Sequence, residues 1–300
     1  MFETTVKIHV PATTANLGPG FDCLGMALDI YDEVTLSLDE LPRGGAPASA
    51  EDEQYLALVM KAAHHYFKFL GKPVPVLEAT CSRQIPVGRG LGSSAAAIVA
   101  GLVAADELSG SSQSKEVLAK LATEMEGHPD NAVPCLYGGL QLCVTDDQEL
   151  VNIALTLPQE VEVALFVPDF ALPTHQTRQL LPDSLSRQDV VYQSSRAALL
   201  VAAVATGQLD YLRVATQDRL HQPARGKLFP QMSALFDAAL GAGALCAYLS
   251  GGGPTVAAWT RGAAEPVRSA LASRAEALGL KGTAYATKPS AAGTTITPEE

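Results

Sequence analysis

Apolar and polar residues alternate in the N-terminal segment MFETTVKIHV, which is the period of a strand with one buried face. The segment lacks the basic start and apolar block of a signal peptide, and we therefore interpret it as a first strand. Four further apolar runs predict strands, at residues 74–81, 139–145, 162–168 and 244–251. Helical spacing of apolar residues recurs in seven segments, 54–70, 93–109, 114–126, 188–206, 208–220, 231–241 and 264–278. Together these elements predict an α+β fold.

The chain divides near residues 147–160, where a stretch ending in TLPQE separates two halves that each mix helices and strands. With 300 residues and about 150 residues per domain, two domains are expected, and we place them at 1–152 and 153–300. The stretch LPRGGAPASAED (41–52) predicts a loop by its Pro, Gly and Ala content. The tail at 291–300 is predicted to be frayed or to form a short last strand.

Charge and composition narrow the class of protein. A formal net charge of −11 argues against broad nucleic-acid binding but not against binding one nucleotide, because local donors can offset the global field. The longest apolar run, Ala95–Ala105, is shorter than the roughly 20 residues that a membrane span needs. No CxxC spacing occurs, so reduced thiols in a cytoplasmic protein are expected for Cys23, Cys81, Cys135, Cys143 and Cys246.

Residues 86–97, PVGRGLGSSAAA, form a glycine-rich loop ahead of a predicted helix. A Walker A loop is excluded because no lysine follows the glycines. A dinucleotide fingerprint is excluded because an unbroken helix leaves no room for the second strand, and Asp106 and Glu107 only end that helix. The two serines do not fit the G-x-S-x-G nucleophile elbow either.

The remaining geometry is a strand, a flexible loop, two hydroxyls and a helix N-terminus, which together favour anion binding. Glycines let backbone N–H groups approach phosphate oxygens, and a helix start presents free donors with a partial positive charge. Ser93 or Ser94 could cap the helix or reach a metal bound to the phosphates. An ordinary glycine-rich turn with a serine N-cap is the alternative.

Four stretches carry a family resemblance. IPVGRGLGSSAA (85–96) resembles the ATP-binding signature of the GHMP kinase family. PATTANLGPGFDCLGMALDIYDEV (11–34) and LSGGGPTVAAW (249–259) are similar to the first and third family motifs, and EGHPDNAVPCLYGGL (126–140) to homoserine-specific members. The motifs stand in the expected order over most of the chain. The sequence departs from the family pattern at one position: Ala57 stands where many members have an asparagine near the adenine.

The resemblance implies a two-domain fold and a reaction. The N-terminal domain would resemble ribosomal protein S5 domain 2, and the C-terminal domain would be ferredoxin-like. The activity implied is ATP-dependent phosphorylation of L-homoserine in threonine biosynthesis, with Mg²⁺ as metal; a homodimer is common in the family. ATP would contact the loop through Pro86, Val87, Gly88, Arg89, Gly90, Leu91, Gly92, Ser93, Ser94, Ala95 and Ala96.

Two other functions stay open at this point. A sibling kinase acting on mevalonate or a sugar is one alternative, although such substrates lack an ammonium group. A non-catalytic protein of the same fold is the other, and it would be expected to have a degraded glycine loop.

Phosphoryl transfer needs a Mg²⁺ ligand, since positioning and charge stabilisation dominate this chemistry. Glu124 and Glu126 flank the apolar stripe of helix 114–126 on opposite sides, so one helix cannot easily point both at one ion. The resemblance favours Glu124, four residues before His128, as a metal ligand and catalytic residue, with Ser94 as its companion. Glu126 is the alternative ligand. Without a functional role, either glutamate would be a solvated residue at the end of a helix.

The substrate contacts follow mainly from the resemblance. Asp22 would meet the ammonium, with Asn16 in the same loop, while Arg178 and Arg225 are candidates for the carboxylate because a guanidinium matches two oxygens. Asn131, a candidate catalytic residue with Arg178, would lie near the δ-hydroxyl with His128 beside it.

The identity of a general base is left open by the sequence. Asn131 cannot accept a proton, so we expect the proton to go to solvent or to a phosphate oxygen, with Asp130 as the alternative base. A structural role is an equally open alternative for His128, and for His221 we favour it.

Overall fold

The computed structural model describes residues 4–38, 49–147 and 149–297. The strands of this part of the chain are β1 (Thr5–Ala15), β2 (Leu24–Leu38), β3 (Leu77–Ser82), β4 (Leu140–Asp146), β5 (Glu149–Leu155), β6 (Val161–Pro168), β7 (Cys246–Leu249), β8 (Val256–Arg261), β9 (Gly282–Thr287) and β10 (Thr295–Thr297). The helices are α1 (Ala50–Phe69), α2 (Ser93–Ser109), α3 (Lys115–Glu126), α4 (Pro129–Tyr137), α5 (Thr174–Gln179), α6 (Arg187–Ala205), α7 (Leu212–Ala215), α8 (Gln222–Arg225), α9 (Met232–Gly241) and α10 (Glu265–Ala277).

The first sheet has six strands in the order β10-β1-β2-β4-β5, with β3 also paired to β2. In β1 the predicted alternation holds, because Val6, Ile8 and Val10 are buried. The helix α2 is buried on almost every side, as its unbroken apolar composition requires, and it packs with α1 and α3 in one core. This packing fixes the start of α2, where the glycine loop ends.

The second sheet is antiparallel, in the order β7-β8-β6-β9, and α9 and α10 pack against it. Two sheets with helices on them confirm the predicted two-unit α+β fold. In the described part of the chain, no helix is long and apolar enough to cross a membrane.

The boundary predicted between residues 152 and 153 falls inside β5. The strand β5 pairs with β4 along its whole length, so residues up to Leu155 belong to the first sheet. The tail also returns to that sheet, since β10 pairs with β1. The strands of the first sheet therefore come from both sides of the second sheet in the sequence.

Other elements differ from the sequence prediction. The segment 208–220 is not one helix: a 3₁₀ turn at Leu209–Tyr211 leads into the short α7, and a loop follows. The helix α4 and the strand β5 are not predicted by the sequence pattern. Of the predicted loop 41–52, residues 41–48 lie outside the described residues, and α1 already begins at Ala50.

Candidate active site

A cavity of about 280 Å³ lies where the two sheet units meet. Its walls come from the loop between β1 and β2, the glycine loop before α2, the junction of α3 and α4, and one face of α1. The second unit contributes Arg178 from α5, Arg225 from α8 and the glycine loop after β7. All the sequence motifs singled out above therefore meet at one place.

The glycine loop presents backbone rather than side chains to this cavity. Gly88, Gly90 and Gly92 have φ values of +67°, +79° and +71°, a conformation that L side chains rarely adopt. At Gly90 a Cβ atom would lie 2.3 Å from the carbonyl oxygen of Ser250, so the two glycine loops are in close contact. Gly92 is the N-cap of α2 and no side chain of the described residues caps the helix, which removes the serine-cap alternative. The first N–H groups of α2 can therefore donate to a ligand.

The first motif is held against the third by hydrogen bonds. Asn16 Nδ2 donates to the carbonyl oxygen of Gly251 over 3.0 Å, and Asn16 Oδ1 accepts from the backbone N–H of Asp22 over 3.1 Å. Asn16 and Asp22 both have positive φ, of 69° and 59°. These contacts fix the turn that points Asp22 at the cavity.

Ser94 and Glu126 form an oxygen pair at the start of α2, since Ser94 Oγ donates to Glu126 Oε2 over 2.7 Å. Burial raises the pKa of the Glu126 carboxyl, and the Ser94 hydrogen bond and the charge of His128 oppose that rise only in part. A cation beside this carboxylate would stabilise its charged form.

The structure does not support Glu124 as the metal ligand. Glu124 is exposed and lies outside the cavity, whereas Glu126 lines it. Two residues differ by about 200° around a helix, so the two carboxylates point to opposite sides. The spacing in the sequence already places Glu126 on the buried face of α3, because Glu126 follows the buried Leu118 and Ala122 at intervals of four residues.

The start of α4 carries a connected set of polar groups. Asp130 Oδ1 lies 2.6 Å from His128 Nδ1 and accepts from Asn131 Nδ2 over 3.2 Å. Thr13 Oγ1 donates to Asn131 Oδ1 over 2.8 Å. Burial lowers the pKa of His128, but the Asp130 hydrogen bond and charge outweigh it, and the net pKa is above the usual value. Asn131 is thereby fixed in orientation.

Charged side chains face each other at the other end of the cavity. Arg178 and Asp22 form a two-bond ion pair, with Nη2–Oδ1 at 2.6 Å and Nη1–Oδ2 at 2.9 Å. Arg225 is 1% exposed and donates to the carbonyl oxygen of Gly251 over 2.8 Å. Burial, and then the charge of Arg178, lowers the pKa of Arg225 to about 10, so the guanidinium is still charged at neutral pH. The guanidinium carbons of Arg178 and Arg225 lie 5.2 and 5.4 Å from the centre of the Phe21 ring.

The remaining wall is largely apolar, and its α1 residues lie outside the sequence motifs. Leu58, Val87 and Ala97 line it, and Gln54 adds one amide. Ala57, at the departure from the family pattern, is exposed and does not line the cavity. The sequence indicates that these α1 residues share a wall only through their helical spacing, because Gln54 and Leu58 lie four residues apart.

The predicted site residues thus fall into two groups. Those that line the cavity are Asn16, Asp22, Val87, Gly88, Gly90, Gly92, Ser93, Ser94, His128, Asn131, Arg178 and Arg225. Those that do not are Pro86, Arg89, Leu91, Ala95, Ala96 and Glu124. Arg89 instead bonds the carbonyl oxygens of Val87 and Asp169, and Leu91, Ala95 and Ala96 are buried in the core.

Comparison with known proteins identifies the class to which this fold and cavity belong. Residues 57–139 match the model of the GHMP kinases N-terminal domain, and residues 200–278 match that of the GHMP kinases C-terminal domain. The chain belongs to the GHMP kinase family.

Three similar proteins are named homoserine kinases. Homoserine kinase of Synechococcus sp. is 42% identical over 98% of both chains, and homoserine kinase of Gloeobacter violaceus is 44% identical over 89% of this chain and 91% of its own. The crystal structure of homoserine kinase from Cytophaga hutchinsonii has a TM-score of 0.87 and 29% identity, covering 99% of this chain and 98% of that one.

Proposed function

We propose that the protein is an ATP-dependent kinase that transfers the γ-phosphate of ATP to the hydroxyl of L-homoserine, giving O-phospho-L-homoserine and ADP in threonine biosynthesis. One observation carries the proposal: a single cavity joins an uncapped helix start with its glycine loop to a buried arginine and an acid. The first part suits phosphates, and the second suits an amino acid. The identity of 42% to a homoserine kinase over 98% of the chain supports the same conclusion.

The triphosphate would lie along Gly88–Ser94, where backbone N–H groups can donate to its oxygens. The adenine would then lie against Leu58, Val87 and Ala97, with the Gln54 amide at its edge. Gln54 could thereby supply the polar contact that Ala57 cannot.

Ser94 and Glu126 fit a Mg²⁺ ion, since both offer hard oxygen atoms and are already 2.7 Å apart. A bound Mg²⁺ supplies positive charge that offsets the charge of the phosphates. The partial burial of Glu126 lowers the solvation of its carboxylate, which would strengthen that interaction.

For the acceptor, Arg225 would bind the carboxylate of homoserine and Asp22 the ammonium. Arg178 already neutralises Asp22, so the ammonium would share that carboxylate with the arginine. Asn131, fixed by Thr13 and Asp130, would orient the δ-hydroxyl. Because Asp130 Oδ1 already serves His128 and Asn131, we propose that the hydroxyl proton leaves to a phosphate oxygen or to solvent.

An assay of ADP release with homoserine, mevalonate and galactose tests the function. Homoserine should be the preferred acceptor by at least ~10²-fold in kcat/KM, because only it can satisfy both Asp22 and Arg225. Preferred turnover of mevalonate or galactose would favour the sibling-kinase alternative. Absence of turnover with all three would contradict the proposal.

We further propose a cytoplasmic location, which the five free thiols support. A homodimer is proposed on the family resemblance alone, and neither nucleic acid nor membrane is proposed as a partner.

A further inference from the structure

His221 is completely buried beside the acceptor end of the cavity, at the N-cap of α8. Its imidazole touches two different parts of the site. Nε2 lies 2.7 Å from the carbonyl oxygen of Gly18, and Nδ1 lies 2.9 Å from Arg225 Nη1. Its backbone N–H donates to Asp218 Oδ2 over 2.9 Å, which holds the residue in place.

Only one form of the imidazole satisfies both contacts. A carbonyl oxygen can only accept, so Nε2 must carry the hydrogen, and a guanidinium can only donate, so Nδ1 must be bare. His221 is therefore neutral with its hydrogen on Nε2. Protonation of Nδ1 would place two donors against each other at 2.9 Å.

The contact with His221 decides which N–H groups of Arg225 remain for a ligand. Nη1 is fully engaged, because it donates both to His221 and to Gly251. Nε is buried and has no hydrogen-bond partner within the described residues. With one edge of the guanidinium fixed from behind, its other N–H groups have a defined direction.

Gly18 belongs to the loop that carries Asn16 and Asp22, and that loop is tightly packed. A Cβ atom at Gly18, whose φ is +82°, would lie 2.1 Å from the carbonyl oxygen of Thr216. His221 thus bridges the loop that would bind the ammonium and the arginine that would bind the carboxylate.

We infer that His221 is a positioning residue: it fixes Arg225 in the orientation that binds the substrate carboxylate and ties that arginine to the Asp22 loop. The inference rests on the proposed function and deepens it. It predicts that loss of the Nδ1 acceptor harms recognition of the carboxylate specifically.

Two amide variants separate the roles of the two ring nitrogens. In His221→Asn the amide oxygen can take the place of Nδ1 and still accept from Arg225. In His221→Gln the amide nitrogen can take the place of Nε2 and donate to Gly18, but the acceptor for Arg225 is lost. Each variant should be assayed with homoserine and with 3-aminopropan-1-ol, which has the ammonium and hydroxyl but no carboxylate.

The wild type should prefer homoserine over 3-aminopropan-1-ol in kcat/KM. His221→Gln should narrow that preference by ~10-fold or more, since a charged hydrogen bond is lost from the carboxylate site. His221→Asn should narrow it by no more than ~3-fold, and the KM for ATP should change less than ~2-fold in both. A merely structural role would instead reduce turnover of both acceptors by the same factor in both variants, and that result would overturn the inference.

A measurement on the wild type does not depend on how either variant folds or on activity. Nitrogen-15 NMR of labelled histidine should show the imidazole of His221 neutral at pH 7.5, with hydrogen on Nε2. The variant Arg225→Lys should shift the Nδ1 resonance, because the partner of that nitrogen changes. Hydrogen on Nδ1 in the wild type, or an unchanged resonance in Arg225→Lys, would refute the role of His221. Failure of the proposed function would show separately, as absence of homoserine turnover by the wild type.

Discussion

Burial raises the pKa of the Glu126 carboxyl, and among the described residues Ser94 donates a hydrogen bond to it. Glu126→Gln preserves the shape and removes the charge that would face Mg²⁺. Turnover should fall by ~10² or more, since electrostatic terms dominate phosphoryl transfer.

The matched control is Glu124→Gln, on the same helix and exposed. It should leave turnover within about 2-fold, because surface changes far from the site have small effects. Steady-state kinetics at varied Mg²⁺ concentration compares the two, and equal losses would contradict the assignment of Glu126.

At Asp22 the prediction concerns the ammonium group. Asp22→Ala removes the partner of Arg178 and leaves the ammonium unpaired, so kcat/KM for homoserine should fall by ~30- to 1000-fold. The KM for ATP should barely change. The preference of the wild type for homoserine over 4-hydroxybutanoate, which lacks the amino group, should narrow in the variant. Equal use of both acceptors by the wild type would mean that the ammonium is not recognised.

At the scale of elements, the start of α2 depends on the absence of a side chain at Gly92. A Cβ atom there would lie 1.9 Å from Thr13 Oγ1, which holds Asn131. Gly92→Ala should therefore displace Thr13 and weaken ATP binding by ~10-fold or more, as measured by calorimetric titration.

Gly71, just after α1, provides a control with the same backbone conformation. Its φ is +66° and a Cβ atom at this position would meet no described atom within 4 Å, so Gly71→Ala introduces the backbone strain alone. It should cost about 1 kcal/mol of unfolding free energy and leave ATP affinity unchanged. Equal affinity losses in the two variants would show that strain, not contact, controls the loop.

Elements with a clean period were predictable from sequence, and those shaped by tertiary contacts were not. The helix α2 has a long apolar run, and β1 alternates between part-buried and buried residues from Thr5 to Val10. The helix α4 contains Pro134, which normally interrupts a helix, and it is stabilised by burial of nearly its whole length. In β5 the exposed side carries Val151 and Ile153, so the alternation of apolar and polar residues is lost.

The residues of the candidate site divide in the same way, into those that the sequence identifies and those that depend on tertiary contacts. Motif residues in loops, such as Asp22 and Gly92, were identified because the family pattern fixes them. Gln54 and His221 were not, since their roles depend on which walls meet in three dimensions.

At the scale of the whole molecule, the buried His221 should make the free energy of unfolding depend on pH. Burial is the main cause that lowers the pKa of His221 from 6.5 to about 4; the charge of Arg225 also lowers it, while Asp218, Asp130 and the Gly18 carbonyl act in the opposite direction. A lowered pKa in the folded state means that the unfolded chain binds the proton first. The stabilisation is therefore complete above pH 6.5 and is lost as the pH falls towards 4.

The unfolding free energy should then fall between pH 6.5 and 4 by up to about 1.4 kcal/mol per pH unit from this group. Chemical denaturation at several pH values measures the slope, which should be shallower in His221→Gln. The exposed His175 provides the control variant, His175→Gln, whose slope should equal that of the wild type. Identical slopes in all three proteins would contradict the prediction.

The pairing of β1 with β10 has a consequence for how the protein is made. Lys7 lies opposite Thr297, so the outer neighbour of β1 is synthesised only after every strand of the second sheet. Until then one edge of β1 offers unpaired backbone groups to any other extended chain. The nascent polypeptide must carry that open edge while the whole second sheet is being synthesised. We expect the period of greatest aggregation hazard to be synthesis itself, before β10 covers the edge.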